Sequence, residues 1–134
     1  MVRTLMVDGH NVIGARPDGW WRDRPGAARR LLARVQCLAA APSGGDGGPT
    51  AVVLVLDDPV PGLPEGDHGG VTVRYARRRG RDAADDRIVE DVAALDGPVE
   101  VVTSDRALAA RVARPGIAVT RAGAFLAKLD RAGC

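Results

Sequence analysis

Hydrophobic and polar positions alternate along this chain in blocks that switch between strand and helix spacing. Residues 4–7 are apolar except for Thr4 and stop at Asp8-Gly9, the pattern of a buried strand running into a turn. After a loop containing Pro17, Trp20 and Trp21, residues 25–41 carry Leu31, Leu32, Val35 and Leu38 at helical spacing, with Pro25 suited to a first turn. Residues 42–49 hold four glycines between two prolines and predict a flexible connector, longer than the rest of the pattern needs. Residues 52–56 are apolar on both faces, as in a central parallel strand, and again end on acids, Asp57-Asp58.

A second Pro/Gly-rich loop precedes residues 71–75, where Val71, Val73 and Tyr75 alternate with Thr72 and Arg74 in the manner of a half-exposed edge strand. Residues 82–95 read as a helix with Ala84, Ile88, Val92 and Leu95 on one face. A strand over 99–102 leads into Thr103-Ser104-Asp105, then a helix over 105–113, a short strand over 117–119 and a closing helix over 122–129. Strands alternating with helices predict a three-layer α/β/α domain with a mostly parallel sheet of about five strands, occupying residues 1–134 as one unit.

Composition narrows this picture only a little. The 134 residues are 46% hydrophobic and 27% charged, which is globular, and the net charge of +2 names no partner. All but one of the 19 basic residues are Arg, the exception being Lys128. Arg presents a planar fork to phosphate, although a bias in base composition is the better account of the excess and does not stop the arginines from being used. Cys37 and Cys134 lack the spacing of a zinc site or a disulfide framework, so two unpaired thiols in a reducing compartment are expected. With neither a signal-peptide core nor a membrane-length apolar run, the expected location is the cytoplasm.

The chemistry lies in the acids. Asp8, Asp57 and Asp105 each follow an apolar strand, and in open α/β sheets the functional crevice lies beyond the carboxyl ends of the strands. Two unit charges about 4 Å apart repel by roughly 4 kcal/mol at an effective dielectric near 20, so such a cluster needs cations or protons. Asp85, one turn into the helix starting near residue 82, joins the group from the face that packs on the sheet, whereas Asp82 is placed to cap that helix and Asp86 to face water. Carboxylates of this kind suit Mg²⁺ or Mn²⁺, which share their shell between protein oxygens, waters and substrate phosphate. Neither His10 nor His68 is placed as an evident general base, which leaves a metal-activated water as the nucleophile.

Val7-Asp8-Gly9-His10-Asn11-Val12-Ile13-Gly14-Ala15 resembles the opening motif of YacP-like NYN domains, a branch of the PIN-like nucleases, with His in the place of a Tyr. Ala84-Asp85-Asp86-Arg87-Ile88, Val102-Thr103-Ser104-Asp105 and Leu56-Asp57 resemble that family's helix start and two strand ends, in the same order over nearly the whole chain. The resemblance implies a PIN-like fold and divalent-metal-dependent endoribonuclease activity. It also implies metal ligands at Asp8, Asp85 and Asp105, supported by Asp57 and Asn11. Asp58-Pro59-Val60-Pro61 departs from the family pattern, which leaves that loop's part in substrate choice outside the resemblance.

Arg74, Arg77, Arg78, Arg79 and Arg81 precede the acidic helix start and are candidates to bring phosphates to the acids; Ser104 is a further candidate contact, although capping the helix that follows is its favoured role. Trp20 and Trp21 are placed either to stack on single-stranded bases or to plug the core. The expected partner is therefore RNA, single-stranded, with a ribosomal surface as a second candidate and no membrane. A dinucleotide-binding domain would need Gly-x-Gly-x-x-Gly after the first strand, and a dehalogenase-type phosphatase an acid where His10 stands. The rival expectation is a catalytically silent PIN-like module that holds RNA or a ribosomal surface without cutting.

Overall fold

The computed structural model describes residues 2–41, 50–80 and 82–134; the expected connector over 42–49 and Arg81 lie outside the described residues. Its sheet has six strands in the order β3-β4-β2-β1-β5-β6. They are β1 (Arg3–Asp8), β2 (Thr50–Leu56), β3 (Gly66–His68), β4 (Val71–Tyr75), β5 (Val99–Val102) and β6 (Ile117–Thr120). All neighbours are parallel except β3, which runs antiparallel to β4. The hydrophobic pattern predicts about five strands with residues 71–75 at the edge. The edge is in fact β3, and β4 lies between it and β2.

Five helices cover the two faces: α1 (Gly9–Ile13), α2 (Arg24–Ala40), α3 (Ala83–Ala93), α4 (Arg106–Val112) and α5 (Ala122–Arg131). Because side chains alternate along a strand, Leu5 and Val7 of β1 enter one core while Met6 enters the other. The first core joins them to Val12, Leu31, Val35, Phe125 and Leu129 from α1, α2 and α5. The second joins Met6, Val55 and Val101 to Ile88, Val92 and Leu108 from α3 and α4. This is the three-layer arrangement the hydrophobic pattern predicts.

Short elements escape the pattern because they have too few residues to repeat it. Helix α1 occupies what reads as a turn, and a single 3₁₀ turn, Trp20–Arg22, precedes α2. Asp23 closes the entry to α2 by accepting the backbone N–H of Gly26 at 3.0 Å.

The expectation of two unpaired cysteines is corrected. Cys37 on α2 and Cys134 are disulfide-bonded across a sequence separation of 97, with Cα atoms 5.6 Å apart. The end of the chain is brought there by local bonds: Cys134 donates its N–H to Leu129 O, and Arg34 Nε donates to Cys134 O at 3.0 Å. The cysteine count therefore gives no support to a reducing compartment. Among the described residues no helix is long and apolar enough to cross a membrane.

Candidate active site

β1 sits in the middle of the sheet, with β2 and β4 on one side and β5 and β6 on the other, so the chain reverses its direction of travel at β1 and β5. That switch point is where an open α/β sheet leaves a crevice. Asp8 ends β1, Asp57 follows β2 and Asp105 follows β5 by three residues. Asp85 reaches the same place from the first turn of α3. Together with Asn11, His10, Asp82 and Gly80 these four acids line one pocket of about 230 Å³.

Backbone and neighbouring polar groups set each acid in place. Gly9 lets α1 start hard against β2: a Cβ there would lie 2.8 Å from Val55 O and 2.7 Å from Leu56 Cδ2. Asp8, only 4% exposed, accepts a hydrogen bond from Thr103 Oγ1 at 2.9 Å. The same Thr103 oxygen accepts the backbone N–H of Asp105 at 3.1 Å, so one buried hydroxyl couples the acids of two adjacent strands. Asp105 Oδ1 caps α4, accepting from Ala107 N at 2.9 Å and Leu108 N at 3.2 Å. Asn11 Oδ1 accepts from Ser104 N at 2.7 Å, tying α1 to the loop after β5.

The electrostatics of the group are those of acids short of counter-charge. Burial pushes the Asp8 carboxyl up to about 6, with the Thr103 hydrogen bond pulling the other way. Asp85 is raised to about 7, first by burial and then by the charges of Asp8 and Asp105 facing it. Asp57 is raised by burial, and the facing His10, whose Nδ1 lies 3.1 Å away, partly offsets this. Several acids elsewhere are paired with arginine. Asp86 pairs with Arg78 and with Arg111 at 2.9 Å, Glu90 with Arg77 at 2.8 Å, and Asp91 with Arg74 and the buried Arg87, each at 3.5 Å. Among the described residues no basic side chain forms an ion pair with Asp8, Asp85 or Asp105.

Three sequence expectations change here. Asp82 stands at the start of α3, but in a left-handed conformation (φ 65°) and without a side-chain capping bond. Asp86 does not simply face water; it is held between Arg78 and Arg111. The cap of α4 is Asp105, while the Ser104 hydroxyl accepts the backbone N–H of Ala122 at 2.9 Å and so serves the first turn of α5. Ser104 thus braces the loop, and its hydroxyl proton remains free to donate to an outside partner.

Of the arginine run, Arg77, Arg78 and Arg79 are exposed, and the first two are paired with Glu90 and Asp86 on α3. Sequence reasoning gave Thr103 no firm role, although its place between two strand-end acids was a signal. Nor did it find the buried Arg87, which donates to Tyr75 O at 3.0 Å and lies 3.3 Å from Glu65. Trp20 and Trp21 do not plug the core. Trp20 is half-buried near Arg24 and His10, and Trp21 is 51% exposed.

No protein-family model matches the sequence, and no curated protein matches it. Among solved structures, a point mutant of Rae1 (YacP) from Bacillus subtilis superposes with a TM-score of 0.76 at 22% identity, covering 98% of this chain and 77% of that one. A second crystal structure of Rae1 (YacP) from Bacillus subtilis gives 0.74 at 21% identity, covering 97% and 75%. Identity this low carries the arrangement of the backbone rather than the chemistry, and the arrangement agrees over almost the whole chain: it has a YacP-like fold.

Proposed function

We propose that this protein is a divalent-metal-dependent endoribonuclease that hydrolyses phosphodiester bonds of single-stranded RNA by attack of water. The observation that carries the proposal is the set of Asp8, Asp85 and Asp105 facing one pocket without a cationic partner among the described residues, Asp85 being raised to about 7. Such a group destabilises the fold when ionised, and a bound cation removes that cost.

The donor set fits Mg²⁺ or Mn²⁺. It consists of carboxylate oxygens, and the thiols that would favour softer ions are absent from the pocket. Among the described residues no three His, Cys, Asp or Glu side chains form a ready-made ligand group. Mg²⁺ does not require one, since it keeps several waters and takes substrate oxygens into its shell. Asp8, Asp85 and Asp105 are the residues to hold it, with Asp57 adjoining. When bound, the ion lowers the pKa of water and offsets phosphate charge.

The rest falls to the chain. Thr103 holds one Asp8 oxygen and the α4 backbone holds one Asp105 oxygen, so both carboxylates are fixed in direction before substrate arrives. Asn11 spends its carbonyl on Ser104, which leaves its amide N–H₂ to donate to a phosphate oxygen. Arg77, Arg78 and Arg79, exposed just before the pocket residue Gly80, supply phosphate contacts, and Arg81 of the same run is a further candidate from the sequence. Exposed ion pairs such as Arg77–Glu90 contribute only about 0–1 kcal/mol, so a phosphate can displace the acid.

Cleavage of a labelled single-stranded RNA in Mn²⁺, in Mg²⁺ and in EDTA tests this reading. Cutting that requires metal and is lost in Asp8→Asn and Asp105→Asn is the expected result. RNA that is bound but left intact with either ion would mean a silent binding module instead.

A further inference from the structure

Beside the acid cleft lies a second pocket of about 260 Å³, which the proposed chemistry does not use. His10 and Asp57, with Nδ1 and Oδ2 3.1 Å apart, line both cavities and form the partition between them. On the far side the floor is apolar, from Ile13, Ala28, Leu56 and Val60. Trp20 and Arg24 complete the lining, with the guanidinium carbon 5.3 Å from the centre of the indole ring.

We propose that this pocket is a subsite for one unpaired nucleobase of the RNA, stacked on the Trp20–Arg24 pair while an adjoining phosphate lies at the acids. Four features favour a base. The cavity falls just short of the roughly 300–1,000 Å³ typical of drug-sized ligands, which suits a single flat ring system. It offers an indole and a guanidinium, the two side-chain planes on which single-stranded bases stack, in contact with each other.

Placement adds the third argument. The chain has two Trp, one Tyr and one Phe; Phe125 and Tyr75 are buried in the core, whereas both Trp stand outside it. Continuity is the fourth, because His10 and Asp57 line both cavities, so a base in one and a phosphate in the other belong to neighbouring positions of one strand. The Arg24 charge also complements the sugar–phosphate strand leaving the pocket.

The subsite rests on the RNA reading above, and it is tested by binding alone so that the two can fail separately. A fluorescent oligoadenylate hexamer and an abasic ribose-phosphate hexamer of equal charge are titrated into the protein in EDTA, where no cleavage occurs. One stacked base contributes about 1–3 kcal/mol, so the hexamer with bases should bind about 5- to 150-fold more tightly than the abasic one. Trp20→Ala should bring the two affinities together, Trp20→Phe should keep most of the preference, and Trp21→Ala should leave it unchanged. A wild-type protein that binds both hexamers equally, or a folded Trp20→Ala variant that keeps the full preference, overturns the subsite. If the preference depends on Trp20 but metal produces no cleavage, the subsite stands and the nuclease reading falls.

Discussion

Replacing Asp85 by Asn tests the acid cluster without relying on catalysis. An acid raised from 3.8 to about 7 is opposed in its ionised form by burial and by the charges of Asp8 and Asp105. Taken at face value, this is about 4 kcal/mol of destabilisation at pH 8, where the carboxyl is ionised in both folded and unfolded chains. Asp85 is half-exposed, so water screens much of the repulsion, and about 1–2 kcal/mol is the expected remainder. Asn keeps the shape and removes the charge.

The sign follows from proton counts. The folded-state pKa lies above the unfolded value, so the folded protein holds the extra proton between about pH 4 and 7. The destabilisation is therefore absent below about pH 4, grows through that window and is complete above it. In EDTA at pH 8, Asp85→Asn should melt about 4–8 °C above the wild type, taking about 4 °C per kcal/mol for a chain of this size. Below about pH 4 the two should melt nearly together, and at pH 8 Mn²⁺ should raise the wild type more than the variant. A variant that melts below the wild type at pH 8 would show that the Asp85 charge stabilises the fold, and the cluster argument would be wrong.

Three further outcomes are expected. Asp82→Gly should leave stability unchanged or raise it by up to about 1 kcal/mol in denaturant unfolding, since it relieves a left-handed residue that makes no capping bond; a loss of a few tenths of a kcal/mol or more, the cost of exchanging a capping Asp for Gly, would restore the capping role. Reduction of Cys37–Cys134 should cost about 2–4 kcal/mol, read as a fall in Tm with dithiothreitol that the Cys37→Ser variant does not show. Changing Arg77, Arg78 and Arg79 to Ala should flatten the plot of log affinity for single-stranded RNA against log salt by about 0.7 for each phosphate that these side chains neutralise; an unchanged slope would leave these arginines as partners of α3 only.

What the sequence made legible follows from how locally each feature is specified. Apolar runs stopped by Asp8 and Asp57 state both a buried strand and its end in a handful of adjacent residues. Helices α2 and α3 repeat their apolar stripe often enough to be read. β3 could not be read, because Gly66, Asp67 and His68 carry no apolar side chain and pair only because β4 offers a free edge. The left-handed backbone of Asp82 could not be read either, because an Asp before a helical run reads equally as an ordinary cap. Cys37 and Cys134 meet only because α5 folds back beside α2, a consequence of the whole topology. Arg87 reads as surface charge until Tyr75 O and Glu65 are seen around it.

The candidate acids owe their positions to groups other than one another. β1 and β5 are held by the sheet ladder, α4 by its own cap, and Thr103 bridges the two strand ends through hydrogen bonds that ignore the net charge of the pocket. Neutralising a carboxylate therefore need not dismantle the geometry. Asp105 is the exception, because its carboxylate both faces the pocket and caps α4. Asn at that position keeps the capping oxygen, whereas Ala would lose about 1 kcal/mol of helix stability together with the charge. Amide substitutions thus separate the chemistry of this cluster from its architecture, and alanine substitutions at Asp105 would confound the two.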